Sequence, residues 1–182
     1  MPGQDKIIFN RSQVWDMVSD LGKRLAAAYP AEDPPALVGI RSGGADLALR
    51  LRAVMADIYG QTPELGLMDI TLYRDDWTRL HHRPKVGKTE IDFPITDRPV
   101  ILVDDVLYTG RTVRAALDAL IDLGRPRRIE LAVLVDRGHR ELPIQPDFVG
   151  AVVKTAVDEA VDVLLGPEAD AGDQVILRRR AD

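Results

Sequence analysis

Apolar residues recur along the first part of the chain at spacings that predict a short strand followed by a helix. The strand covers residues 7–9, and either Asn10 or Ser12 can cap the helix after it. The next apolar residues recur at steps of four and three, which places them on one helical face. The members of this stripe are Val14, Val18, Leu21, Leu25 and Ala28.

Two later segments share one order of elements: an apolar strand, a turn, and an amphipathic helix. In the first, the strand 36–40 leads through a glycine turn at 41–44 into a helix. The apolar stripe of that helix is Leu47, Leu51, Val54 and Ile58. In the second, the strand 100–103 leads through a polar turn at 104–111 into a helix that Gly124 ends. Its stripe is Val113, Leu117, Leu120 and Ile121.

A third apolar strand, 129–135, follows directly. Strands that are apolar on both faces and alternate with helices are typical of a parallel sheet covered on two sides. The fold class is therefore predicted as α/β, in a single domain over residues 1–182. Residues 65–96 predict a mobile basic hairpin, and 148–177 predict short strands and turns.

Composition excludes several classes of protein. The chain has no cysteine, which removes disulfide scaffolds, thiolate metal sites and thiol catalysis, and favours a cytoplasmic protein. No apolar segment is long enough for a signal peptide or a membrane span. The net charge of -5 argues against binding polyanions by bulk charge, so any nucleic-acid contact needs a local basic patch.

The most informative segment is 100–112, where the predicted strand delivers Asp104 and Asp105 to its carboxyl end. Ligands of open α/β sheets bind at that edge. Thr109, Gly110 and the residues after them form a turn that opens a helix, where backbone N–H groups and the helix dipole favour an anion such as phosphate. Adjacent carboxylates beside a phosphate loop indicate a phosphorylated sugar as ligand.

Other readings of the motifs fit less well. The triplet Gly87-Lys88-Thr89 lacks the earlier glycine of a nucleotide-binding P-loop and lies in the predicted hairpin. No Gly-x-Gly-x-x-Gly follows a strand, and residues 39–44 do not form the nucleophile elbow of a hydrolase. The adjacent His81 and His82 point apart on a strand, which disfavours a histidine metal site.

Residues 100–112 resemble the phosphoribosyl pyrophosphate signature of type I phosphoribosyltransferases. Together with 69–76 and 134–143 they are similar to the pyrimidine operon attenuation regulators, whose members double as uracil phosphoribosyltransferases. This resemblance covers about residues 5–165. It implies the type I phosphoribosyltransferase fold: a central parallel sheet flanked by helices, with a flexible hairpin loop and a small hood.

The resemblance implies a role for each matched block. Asp104 and Asp105 would be the catalytic carboxylates, which hold the ribose hydroxyls and stabilise positive charge on the ribose. The 5′-phosphate loop would comprise Tyr108, Thr109, Gly110, Arg111 and Thr112. The pyrophosphate loop would comprise Arg41, Ser42, Gly43 and Gly44. Mg²⁺ would arrive with the substrate, without a dedicated protein cage.

Three further segments receive roles in the same way. The flexible loop would carry Tyr73, Arg74, Asp75 and Asp76, with Arg74 reaching the pyrophosphate. The uracil pocket would be lined by Val135, Asp136 and Arg137. RNA contacts would include His139 and Arg140. The implied partners are phosphoribosyl pyrophosphate, uracil, UMP or UTP and the leader mRNA of the pyrimidine operon, with a homo-oligomer of two or more copies and no membrane.

Two departures from the family pattern bear on these expectations. Relatives usually carry Thr-Arg-Gly where this chain has Ser42-Gly43-Gly44, so transfer is expected to be slower and an arginine at position 43 to restore it. RNA-binding members commonly carry cations where this chain has Gln145 and Ala151, which predicts weaker RNA binding. The alternatives are a transferase without RNA regulation and, less favoured by the matched blocks, a transferase for a purine base.

Overall fold

The computed structural model describes residues 5–75, 87–166 and 172–179 of the 182-residue chain. The helices and strands follow in this order: β1 (Lys6–Phe9), α1 (Arg11–Ala28), β2 (Ala36–Ile40), α2 (Gly43–Tyr59), β3 (Leu65–Met68), a 3₁₀ turn (Thr71–Tyr73), β4 (Pro99–Leu107), α3 (Arg111–Leu123), β5 (Arg128–Asp136), β6 (Phe148–Val152), β7 (Glu159–Leu164) and β8 (Gln174–Arg179).

Five strands form a parallel sheet in the order β3-β2-β4-β5-β6, which confirms the predicted α/β class. Two apolar cores lie on its two faces. The core on one face combines α1 and α2 with Ile101 and Val103, and the core on the other combines α3 with Val100 and Leu102. Neighbouring residues of β4 therefore point to opposite faces, as the pleat of a strand requires.

One predicted boundary was wrong in a way that affects the site. The sequence predicts that the strand ends at residue 103 and that a polar turn begins at Asp104. In the structure β4 continues to Leu107, paired with β5 through Asp104↔Val133 and Leu107↔Asp136. Both carboxylates are therefore strand residues with fixed orientations, and the turn is confined to residues 108–110.

A second, antiparallel sheet joins the two ends of the chain in the order β1-β8-β7. The sequence predicts short strands in both regions but not their pairing, because β1 and β8 are about 170 residues apart, as in the pair Lys6↔Leu177. This small sheet, called here the hood, packs through Val161 and Val175 onto the core that holds α1 and α2.

The helices begin and end largely as predicted. The Asn10 carboxamide accepts the backbone N–H of Gln13 at 3.1 Å, the Gln13 side chain accepts that of Asn10 at 2.9 Å, and Gly124 ends α3. The predicted stripes extend one residue too far. Ala28 is exposed, Ile58 is 52% exposed and Ile121 is 61% exposed, because each lies off the buried face, which continues at the helix ends with Ala26, Met55 and Leu120.

The base of the predicted hairpin is described, since Leu67 and Glu90 form an antiparallel bridge. Its tip, residues 76–86, lies outside the described residues, as does the prediction that it is mobile and basic. Within the part of the chain that the structure describes, no helix is long and apolar enough to cross a membrane.

Candidate active site

Asp104 and Asp105 lie at the centre of the carboxyl edge of the parallel sheet, but they face different cavities. Asp104 lines a cavity of about 320 Å³ against the start of α3. Asp105 lines a second cavity, of about 380 Å³, against the start of α2. We call these the α3 cavity and the α2 cavity. The strand pleat separates two carboxylates that are adjacent in the sequence.

Asp104 is 6% exposed. Burial raises its pKa well above the ordinary value, and repulsion from the neighbouring Asp105 raises it further. The backbone N–H of Asp105, which donates to the Asp104 carboxylate at 3.0 Å, opposes this shift without cancelling it. The folded protein therefore holds the Asp104 proton to a higher pH than the unfolded chain does.

The predicted phosphate loop forms the floor of the α3 cavity. Gly110 has a φ of 92°, which glycine adopts readily, and this conformation turns the chain sharply into α3 at Arg111. The lining includes Thr109, Gly110, Arg111 and Thr112, so hydroxyls and the N-terminus of α3 converge there. This combination is suited to a phosphate group.

Two cations border this cavity. The Arg111 guanidinium pairs with Asp75 at 2.5 Å and Glu141 at 2.6 Å, and these bonds raise its pKa. Arg74 lines the same cavity, beside the predicted phosphate loop.

The start of the predicted flexible loop is docked along α3. The Tyr73 hydroxyl donates to Asp122 at 2.8 Å, and the Tyr73 carbonyl accepts Arg114 at 2.7 Å. Asp75 continues this contact through its pair with Arg111. Asp76 lies outside the described residues.

The α2 cavity is lined by part of the predicted pyrophosphate loop. Ser42 and Gly43 lie on one side, and Leu164, Leu165 and Gly166 lie on the other. A Cβ atom at Gly43 would overlap the Asp105 carboxylate, and one at Gly44 would overlap the carbonyl of Val103. The two glycines are therefore required for α2 to begin directly against β4.

Arg41, the cation of this loop, already has a partner. Its guanidinium pairs with Glu90 at 3.1 Å, close to the bridge at the base of the 65–96 segment. The sequence did not single out Glu90, nor Asp46, which lines the α2 cavity from the first turn of α2. The position of Asp46 two residues after the glycine turn was the available signal for it.

The residues predicted to line the uracil pocket, Val135, Asp136 and Arg137, lie at and just after the end of β5, outside the two cavities described above. Val135 is fully buried in the core, and the Asp136 carboxylate is held by Arg140 at 2.6 Å and by the N–H of Gly138 at 2.9 Å. Neither side chain faces either cavity. The cause is that β5 runs to Asp136 and keeps both residues packed against its neighbours.

Arg137 is 4% exposed, and its guanidinium donates to Thr155, Ala156 and Glu159. Its Cζ lies 4.0 Å from the centre of the Tyr108 ring, a cation–π distance. Arg137 therefore joins the phosphate loop to the segment that leads into the hood.

The predicted RNA residues differ from each other. His139 is exposed, and its Nε2 donates to the Thr155 carbonyl at 2.8 Å. The Arg140 side chain is only 14% exposed and donates to Tyr108, Ile144 and Asp136. Arg140 thus braces the phosphate loop from behind, and the prediction that it contacts RNA is not supported by its position.

The described residues contain no group of three acidic, histidine or cysteine side chains placed to hold a metal ion. The carboxylates of Asp46 and Asp105 that line the α2 cavity are nevertheless hard oxygen donors of the kind Mg²⁺ prefers.

Comparison with known proteins agrees with this geometry. The family model described as phosphoribosyl transferase domain matches residues 14–163. A protein of Syntrophobacter fumaroxidans named Bifunctional protein PyrR is 58% identical over 146 residues, 80% of this chain and 78% of the relative. One of the same name from Thermus thermophilus is 58% identical over 145 residues, 80% of each chain.

Solved structures give the same fold at lower identity. The hypoxanthine phosphoribosyltransferase of Trypanosoma cruzi has a TM-score of 0.70 at 20% identity, over 96% of this chain and 97% of that one. An enzyme titled HGPRT-ase from Leishmania tarentolae has a TM-score of 0.71 at 15% identity, over 97% of each chain. At these identities the likeness shows the fold alone. Family match, relatives and site geometry agree that this chain belongs to the phosphoribosyl transferase domain family, within the group of bifunctional PyrR proteins.

Proposed function

We propose that this protein transfers a phosphoribosyl group from phosphoribosyl pyrophosphate to uracil. In this reaction uracil N1 bonds to the ribose C1′ while the bond from C1′ to pyrophosphate breaks. Pyrophosphate leaves with the electron pair, the N1 proton passes to solvent, and UMP is the product. The observation that carries the proposal is the pair Asp104 and Asp105, which lies between a phosphate loop and a glycine-lined cavity.

The substrate would lie across the edge of β4. The 5′-phosphate would bind the Thr109–Thr112 turn at the start of α3, because hydroxyls and unpaired helix N–H groups meet there. The ribose hydroxyls would bind the two carboxylates. Carboxylates at that position stabilise the positive charge that the ribose develops as pyrophosphate departs.

The pyrophosphate would lie in the α2 cavity, beside Ser42 and Gly43. Asp46 and Asp105 repel an anion there, so the pyrophosphate needs a cation to accompany it. Mg²⁺ bound to the substrate would neutralise the leaving group, and these two carboxylates are the residues that would hold it.

The uracil would lie near Arg137, at the junction between the sheet and the hood. Since Val135 and Asp136 face elsewhere, backbone groups after β5 are the polar partners that remain for the base. The fold likeness to hypoxanthine enzymes does not decide between uracil and a purine, so both bases belong in the assay.

A second activity is proposed from the relatives, whose name is bifunctional. The protein would bind the leader mRNA of the pyrimidine operon and regulate its attenuation in response to uridine nucleotides. The exposed His139 lies against Thr155, next to the exposed Lys154, while Arg24 donates to the Val149 carbonyl at 2.7 Å. Arg24 therefore lies against β6, the edge strand, and His139 and Lys154 lie just beyond its end. UMP or UTP in the phosphate loop would shift the population that binds RNA.

One observation favours the alternative of a transferase without RNA regulation. Arg140 is internal, and Gln145 and Ala151 carry no charge. Each lost phosphate contact lowers the salt slope of RNA binding by about 0.7 to 0.9. The homo-oligomer and the cytoplasmic location stay predictions.

The deciding experiment measures both activities on one preparation. UMP formation is followed from labelled uracil and phosphoribosyl pyrophosphate with Mg²⁺, with hypoxanthine as the competing base. Binding to the pyrimidine leader is titrated against a scrambled RNA, with and without UMP and over a range of salt. Turnover of hypoxanthine but not uracil would overturn the base assignment, and equal binding of both RNAs would leave the transferase alone.

A further inference from the structure

A buried ion pair connects α2 to the hood. Arg50 lies in α2, and Asp173 comes directly before β8, 123 residues later. Their side chains are only 10% and 0% exposed. One guanidinium nitrogen of Arg50 pairs with Asp173, and the other donates to Asp173 and to the Gly166 carbonyl, both at 2.9 Å.

The same carboxylate also closes the connection between β7 and β8. It accepts the backbone N–H of Gly166 at 2.9 Å, so Asp173 bonds both to α2 and to the end of the segment that follows β7. Gly166 lies seven residues before Asp173 and Gly172 lies directly before it, and both glycines line the α2 cavity. The Arg50–Asp173 pair therefore fixes Gly166 and Gly172, the two residues next to the hood strands that line the α2 cavity.

The opposite wall of that cavity belongs to the same helix as Arg50. Gly43 is the first residue of α2, and Arg50 follows seven residues later, about 10 Å along the helix axis. A rigid helix thus carries Gly43 on one wall and, through Arg50, holds the other wall in place. The planar fork of an arginine fixes both distance and orientation in a way that a lysine does not.

We propose that Arg50 and Asp173 are positioning residues that set the width of the α2 cavity and thereby the affinity for the pyrophosphate group. This inference rests on the proposed function, which places pyrophosphate in that cavity. Neither side chain lines the cavity itself. Their effect on the ligand is exerted through Gly166, Gly172 and Gly43.

If Arg50 and Asp173 served only stability, their substitution would not change pyrophosphate binding selectively. Another buried carboxylate of the chain provides a matched control. Glu130 is also a buried carboxylate, 7% exposed, and it is held by Tyr29 and Arg128. It lies near the start of β5, at the opposite end of the sheet from both cavities. Glu130→Gln therefore removes a buried charge without touching a cavity wall.

The test compares Asp173→Asn, Arg50→Lys and Glu130→Gln by calorimetric titration with magnesium pyrophosphate and, separately, with UMP. Asp173→Asn keeps an acceptor for the Gly166 N–H, and Arg50→Lys keeps the charge. We expect both to weaken pyrophosphate binding about tenfold, while UMP binding changes less than about twofold. In turnover, the KM for phosphoribosyl pyrophosphate should rise with little change in kcat.

Glu130→Gln is expected to lower the melting temperature and leave both affinities unchanged. Unaltered pyrophosphate binding in a folded Asp173→Asn or Arg50→Lys would overturn the proposal, as would equal losses for pyrophosphate and UMP. A wild-type protein that binds both ligands but makes no UMP would overturn the proposed function. The binding titrations of the variants would then still test the positioning role. A wild-type protein that forms UMP but binds no pyrophosphate would overturn the positioning role and leave the proposed function standing.

Discussion

The two cavities on either side of β4 differ in their charged groups. The α3 cavity has Arg74, Arg111 and the N-terminus of α3 beside the carboxylates of Asp75 and Asp104. The described lining of the α2 cavity contains the carboxylates of Asp46 and Asp105, an apolar wall from the hood, and no cationic side chain. A phosphate monoester can bind the first directly, whereas a pyrophosphate in the second needs a metal ion to offset the carboxylates.

This difference originates in the pleat of a single strand. Asp104 and Asp105 are adjacent, yet one is buried beside α3 and the other is directed at Gly43. In the proposed function, one substrate would therefore be held at its two ends by unlike environments. Substitutions that alter only one of the two cavities test this difference between them.

The largest effect is expected when both carboxylates are removed. Asp104→Asn with Asp105→Asn should lower transfer by at least about 100-fold, because the charge that stabilises the ribose is lost. The fold should persist, since neither side chain contributes to an apolar core. Steady-state rates of UMP formation and thermal unfolding measure the two quantities. Wild-type turnover in the double variant would contradict the assignment of the active site to the end of β4.

A smaller effect is expected from Gly43→Ala, which disturbs only the α2 cavity. The added Cβ displaces the Asp105 carboxylate, so kcat/KM should fall about tenfold while UMP binding in the α3 cavity changes little. Gly22→Ala is the control, because its Cβ meets Val54 within the core and affects stability alone.

The same geometry corrects an expectation from the sequence. Gly43→Arg was predicted to speed transfer by adding a cation, but its Cβ needs the space that Asp105 occupies. We now expect a loss similar to that of Gly43→Ala. A rate above wild type for Gly43→Arg would show that Asp105 moves aside readily.

The pH dependence should follow Asp104. Its pKa is raised in the folded protein, so the folded state holds a proton that the unfolded chain releases at lower pH. Folding stability should therefore fall as the pH rises from the ordinary carboxyl pKa towards the raised value. Affinity for phosphoribosyl pyrophosphate should rise over the same range as Asp104 ionises. Melting curves and substrate titrations across this pH range measure the two trends. The Asp104→Asn variant should show neither the fall in stability nor the rise in affinity. If the variant keeps both pH dependences, a group other than Asp104 is responsible for them.

The smallest effect concerns the α3 cavity. Asp75→Asn removes one partner of Arg111, which then offers more charge to a phosphate. Because this pair is about half exposed, UMP affinity should rise less than about fivefold. Asp33→Asn, which opens the similarly exposed pair with Arg127 at the other end of the sheet, should leave UMP affinity unchanged.

The sequence was sufficient for the framework of the site. Apolar strands at 36–40, 100–103 and 129–135, each read from a local pattern, predicted a parallel sheet, and the structure confirms it. The glycine turn at Thr109 and Gly110 was predicted for the same reason, since a glycine in the left-handed region at a helix start is specified by neighbouring residues. Such features depend on residues a few positions apart.

The roles of the long cationic side chains could not be predicted in this way. Arg137 and Arg140 look alike in the sequence, and both were assigned to ligands. In the structure Arg137 lies over the Tyr108 ring and Arg140 bonds to the Tyr108 carbonyl, so both support the phosphate loop from within. An arginine reaches several possible partners, and only the packing around it selects among them.

By itself, the sequence determined the parallel sheet, the phosphate turn and the presence of two carboxylates after an apolar run. Only the tertiary structure decided that these carboxylates face separate cavities, because the end of β4 is set by its pairing with β5. It also brought Arg50 to Asp173 and β1 to β8, which are contacts between residues more than 100 positions apart. Local patterns carry no information about such pairs, since the partner is chosen when the sheet and the hood pack together.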